Sequence, residues 1–153
     1  VSYLKNDGWV TLSGDPIDCI HEHITKYFKE GKYSFHVGSD SKTYTENTTV
    51  ITTICFREAA HGAIVAYQKT HVPNFPNITL KLLHEAQSAI EAGEIVREII
   101  GDCPTVHADV NPDKNALSNR SINVIKGVVE GMGFPILVKP NAWAADIADM
   151  FTR

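Results

Sequence analysis

Asp40, Glu85 and Asp109 are the side chains of this sequence whose types and spacing could do chemistry together. Asp40 closes the alternating stretch YSFHVGSDSK, Tyr33 to Lys42, in which Tyr33, Phe35 and Val37 share one face of a strand and Ser34, His36, Gly38 and Asp40 the other. Gly38 and the serines around Asp40 leave room at the strand's C-terminal end, where open α/β sheets usually hold ligands. Two carboxylates about 4 Å apart repel by roughly 4 kcal/mol at an effective dielectric of 20, so three or four converging ones call for a countercharge. Oxygen-only ligands favour Mg²⁺ or Mn²⁺ over zinc, and two such ions can activate a water and stabilise the leaving oxygen of an in-line displacement at phosphorus.

Each acid also has a plain structural reading. Asp40 could cap a turn, and HADVNPD around Asp109 could be a strand running into an Asx turn. On a 100° wheel of the helix expected from Thr79 to Ile100, Glu85 falls inside the apolar stripe of Leu82, Ala86, Ala89, Gly93, Val96 and Ile100, while Glu91, Glu94 and Glu98 point away. A carboxylate on that stripe either reaches solvent at the helix edge or needs a partner, because burying it alone is costly.

The elements that must position these acids follow in order. Trp9 to Leu12 reads as a short strand or an ordered arm. Asp15-Pro16 reads as the N-cap and first turn of an amphipathic covering helix that Gly31 stops. His21 and His23, two apart, share no helix face and are expected to be exposed rather than a metal pair. After Tyr33 to Lys42 come a polar turn over 43–47, a β-branched strand from Thr48 to Arg57, a connection through Gly62, and a strand from Ala63 to Val72, giving three antiparallel strands. Pro73 and Pro76 break the ladder before the long helix.

Gly101 and Pro104 close that helix, and Thr105 to Val110 repeats the pattern of the first core strand, with His107 and Asp109 on its polar face. A polar loop from Asn111 to Asn119, a helix from Asn119 to Glu130 capped by Ser118, a strand from Phe134 to Val138 and a last helix capped by Asn141 complete the order. Trp143, Ile147, Met150 and Phe151 form the expected apolar side of that last helix, and Asp146 and Asp149 share its flank. His36 and His107 read as satisfied sheet residues rather than catalytic bases.

The element order and the acidic placement together resemble the ribonuclease H-like superfamily. More narrowly, GSDSK, HEAQSAIEAGEIV, HADVNPD, GMGF and KPNAWAADIADMFTR resemble the YkuK-like family of predicted ribonuclease H-like proteins, over roughly residues 15 to 153. The resemblance implies an α/β fold with a mixed five-stranded sheet flanked by helices, the first three core strands antiparallel and the fourth parallel to the first, plus an N-terminal helical extension. One domain is expected over 1–153, with the arm and helix in 1–32 and the core in 33–153. The resemblance also implies that Asp40, Glu85 and Asp109 hold two Mg²⁺ or Mn²⁺ ions with a fourth acid. The family's Ala-Asp pattern points to Asp149, from Ala148-Asp149, whereas the helical wheel brings Asp146 nearer the apolar stripe.

The activity so implied is hydrolysis of phosphodiester bonds in RNA, an RNA–DNA hybrid or structured DNA. The alternative is a catalytically silent module of the same fold that binds nucleic acid or a protein. Proofreading-type exonucleases of the superfamily carry Asp-x-Glu on the first strand, and Asp40-Ser41-Lys42 departs from that toward the ribonuclease H or resolvase type. Lys42, Lys114, Arg120 and Lys139 lie near the acidic ends and are the candidate phosphate contacts. With a formal net charge of -4, the 153-residue chain has no general basic field for nucleic acid. Its three cysteines, without a CxxC pair, read as reduced core residues, and no apolar run approaches the roughly 18 to 20 residues of a membrane span. With no basic-then-apolar leader at its start, the expected address is the cytoplasm.

Overall fold

The computed structural model describes residues 4, 5, 7–113 and 117–152. Its elements in chain order are β1 (Val10–Thr11), α1 (Ile20–Glu30), β2 (Tyr33–Thr43), β3 (Thr48–Glu58), β4 (Ala63–Val72), α2 (Ile78–Ile100), β5 (Thr105–His107), a 3-10 turn (Leu117–Ser121), α3 (Ile122–Gly131), β6 (Ile136–Leu137) and α4 (Trp143–Asp149). The strands form one mixed sheet in the order β1-β4-β3-β2-β5-β6. β2, β3 and β4 run antiparallel, whereas β5 is parallel to β2 and β6 parallel to β5.

The sheet has six strands where five were expected. The extra one is β1, which pairs with the free edge of β4 through Val10 opposite Tyr67 and Thr11 opposite Ala66. Gln68 helps to seat this segment, accepting from the Lys5 amide at 2.9 Å and donating to the Lys5 and Asp7 carbonyls. Asp15-Pro16 belongs to the return from that edge and not to a helix start, because Pro16 bridges to Val10 and the helix begins only at Ile20 behind Cys19. Gly31, with φ 72°, ends α1 as the sequence predicts.

β2 is the central strand and is covered on both sides. Phe35 and Val37 join the main core with Ile20 and Ile24 of α1, Leu82, Ala86 and Val96 of α2, and Ile125 and Val129 of α3. On the opposite face α4 lies across β2 and β3, where Ala144 packs with Cys55 and Val65. His23 is not an exposed histidine. Its ring stands 5.1 Å from Tyr27 and 5.8 Å from Phe56, and burial lowers its pKa. The three cysteines are free, with Cys55 buried.

Three boundaries on the β5 side differ from expectation. Regular pairing of β5 ends at His107, although the Ala108 amide still reaches the Leu137 carbonyl and Val110 accepts from the Lys139 amide. β6 is only Ile136–Leu137. α3 starts at Ile122 behind Ser121, not behind Ser118, since a 3-10 turn intervenes and ties back to α2 through the Thr79 and Ser121 hydroxyls, 2.8 Å apart.

α4 starts behind Ala142, not Asn141, and buries Ala144, Ala145 and Ala148, while Met150 is 64 % exposed. Close approach explains this choice of face. A Cβ on Gly38 would lie 2.6 Å from the Ala144 carbonyl carbon and 2.7 Å from the Ala145 nitrogen, so the helix backbone rests directly on a strand that has no side chain there.

Candidate metal centre

Parallel pairing of β2 and β5 sets Gly38 beside His107, and two residues beyond each stand Asp40 and Asp109. Glu85 arrives from α2, on the side of the sheet that also receives Ser39 and Ser41, and Ser41 Oγ donates a hydrogen bond to Glu85 Oε2. One carboxylate oxygen from each of Asp40, Glu85 and Asp109 lies within 4.8 Å of the others. Asp40 is 7 % exposed and Glu85 4 %, so two of the three acids are largely removed from water.

The last helix brings the fourth acid from the opposite face. The Asp149 carboxyl comes within hydrogen-bonding range of Asp40, as does that of Asp109. Asp146 instead acts on Lys139. Both α4 aspartates are exposed, and Asp149 is the one turned toward Asp40.

Burial drives the electrostatics of this cluster. It pushes Asp40 up to about 9, with the Glu85 and Asp109 charges adding in the same direction. It likewise pushes Glu85 up to about 8, although the Ser41 hydroxyl and the Lys81 and Lys139 charges pull the other way. Glu85 Oε1 is buried with no hydrogen-bond partner, and so is Ser39 Oγ. Both residues border one small space together with Asp109. A buried carboxylate with one orphaned oxygen, gathered with two further carboxylates, fits a hard divalent cation, which takes oxygen ligands and removes the repulsion.

Next to the acids, the histidines form a closed relay. The Ala144 amide donates to His107 Nδ1 at 3.2 Å, His107 Nε2 lies 3.0 Å from His36 Nδ1, His36 Nε2 lies 2.8 Å from Ser34 Oγ, and Ser34 donates to the Arg57 carbonyl. The amide at one end fixes the tautomers: His107 carries its proton on Nε2, and His36 on its own Nε2. Burial pushes His36 down to about 4 and His107 to about 3, so both are neutral. The Trp143 ring packs on both, 4.6 Å from His36 and 4.7 Å from His107. With every ring nitrogen engaged, these are the satisfied sheet residues that the sequence predicts, and they also hold the first turn of α4.

The four basic candidates separate. Lys139 Nζ lies 2.6 Å from Asp109 Oδ1 and therefore sits at the acids rather than beside them. Lys42 is exposed at the end of β2 with its ammonium 5.5 Å from the Tyr44 ring. Arg120 is exposed on the 3-10 turn, and Lys114 lies outside the described residues. Three neighbours have no assigned role in the sequence reading: Ser39 and Ser41, noted there only for the room they leave, and Lys81. Lys81 stands four residues before Glu85, the i to i+4 spacing that signals a shared helix face. Ser39 and Ser41 flank Asp40 and, by alternation, had to face the side opposite to it, toward α2.

An open cavity of about 740 Å³ between Phe75, Leu83, Gln87 and Met132 shares no residue with the acids. No curated protein matches the chain. A family model described as Ribonuclease H-like matches residues 17–153, all but the β1 arm and the turn that follows it. With that match across the mixed sheet, the helices on both faces and the gathered acids, the chain belongs to the ribonuclease H-like family.

Proposed function

We propose that this protein is a metal-dependent nuclease that hydrolyses phosphodiester bonds of RNA, an RNA–DNA hybrid or structured DNA. The observation that carries this reading is the convergence of Asp40, Glu85 and Asp109 oxygens within 4.8 Å, with Glu85 Oε1 buried and unpartnered. Asp40 and Asp109 would hold Mg²⁺ or Mn²⁺, with Glu85 on the α2 side and Asp149 on the α4 side, and Asp146 the reserve for the fourth place. Bound there, such ions supply an activated water and a countercharge for the leaving oxygen of an in-line displacement.

The chain's own residues do the positioning. Ser41 fixes one Glu85 oxygen and leaves the other without a protein partner. Gly38 and the His107 acceptor seat α4, which sets the reach of Asp149. Lys42 and Arg120, exposed on the strand end and the 3-10 turn, are the proposed phosphate contacts, with Lys114 between them in sequence.

The test is a panel of single-stranded RNA, duplex DNA, RNA–DNA hybrid and junction substrates with Mg²⁺ or Mn²⁺. The expected result is cleavage of at least one substrate that disappears in EDTA and in Asp40→Asn. Cleavage of none, with tight binding of any, replaces this reading by that of a silent nucleic-acid-binding module.

A further inference from the structure

Lys139 was a candidate phosphate contact, yet its ammonium is aimed into the acidic cluster. It lies 2.6 Å from Asp109 Oδ1, at the short end of charge-assisted hydrogen bonds. The placement is built into the backbone, since the Lys139 amide donates to the carbonyl of Val110, the residue after Asp109, at 3.1 Å. The loop leaving β6 is thereby stitched to the chain leaving β5 at the point where the two side chains meet.

The oxygen it meets belongs to the cluster in which Asp109 stands within 4.8 Å of Asp40 and Glu85. A lysine so placed answers part of the repulsion that calls for a countercharge. It also uses the lone pairs of Asp109 Oδ1 that a second divalent ion would need, and like charge would oppose such an ion at that oxygen.

Resting on the metal centre of the reading above and not on its cleavage, we propose that Lys139 fills one of the two cation positions of the acidic centre, so that the site takes a single divalent ion, held chiefly by Asp40 and Glu85. The ammonium then faces the second position as a fixed positive charge for a substrate phosphate oxygen, a compact point charge where other centres place an ion.

Counting bound Mn²⁺ by titration calorimetry and by the electron paramagnetic resonance signal of the free ion tests this without any turnover. The expected counts are one for the wild-type protein, one for Lys139→Arg and two for Lys139→Met, which keeps the length of the side chain and drops its charge. A wild-type count of zero or two overturns the proposal by itself, whether or not the variants fold. One ion in both the wild type and a folded Lys139→Met also overturns it. A wild-type protein that binds one Mn²⁺, gains a second in Lys139→Met and cuts nothing in the substrate panel leaves the proposal standing and removes the nuclease reading.

Discussion

Asp40 has three carboxyl neighbours and little water, so each charge placed on it is opposed from Glu85 and Asp109 at once. Asp40→Asn is expected to preserve the fold and to weaken divalent-ion binding by more than the roughly 10- to 100-fold that loss of an outer-shell partner costs. Calorimetric titration with Mn²⁺ measures this, and an unchanged affinity would remove Asp40 from the centre. In the proposed centre Ser41 would be such an outer partner, because its hydroxyl holds Glu85 Oε2. Ser41→Ala should therefore fall within that 10- to 100-fold range for Mn²⁺ affinity while the circular dichroism spectrum stays native.

At the scale of elements, α4 is held by backbone contact and not by large side chains. Gly38→Ala would drive a methyl into the Ala144 and Ala145 backbone, which has no flexible side-chain end to yield. We expect a loss of about 1–3 kcal/mol in urea unfolding, in the range of core overpacking. Because α4 carries Asp149, Mn²⁺ affinity should fall with it, and an equal loss of stability without loss of affinity would place Asp149 outside the centre. Gly62→Ala is the control, since nothing lies within 4 Å of the added methyl.

At the scale of the whole molecule, the buried titrating groups set opposite trends with pH. Asp40 and Glu85 have folded pKa values far above those of an unfolded chain, so the metal-free fold retains protons that the unfolded chain releases, and stability falls as pH rises toward 8 and 9. His36 and His107 are depressed, so their contribution is present above the unfolded value of 6.5 and is lost as pH falls toward 4 and 3. Between about pH 6.5 and 8.5 the carboxyl trend acts alone. The EDTA-treated protein should lose a few degrees of Tm across that window, and Mn²⁺ should raise Tm more at the upper end, because binding displaces the retained protons. A Tm that is flat with pH in EDTA, followed by scanning fluorimetry, would contradict the burial of ionisable acids at this site.

Sequence alone determined what local periodicity can encode. Alternation in YSFHVGSDSK assigned Asp40 a strand end and a face, the 100° wheel turned Glu85 inward, and Gly31 and Gly101 marked helix ends because the left-handed backbone there is a local preference of glycine. The choice between Asp146 and Asp149 was not legible there, since three residues along a helix differ by only about 60° on the wheel, less than the uncertainty in which face packs. Tertiary structure turned Asp149 rather than Asp146 toward Asp40 by placing α4 on Gly38 through its alanines, an approach no hydrophobic pattern announces, because the contact surface is backbone and methyl. Only the fold could likewise pair β1 with the far edge of β4, or turn Lys139 from the solvent onto Asp109. Those contacts join residues dozens of positions apart, and their energies depend on burial and distance, quantities that a sequence holds only once it has folded.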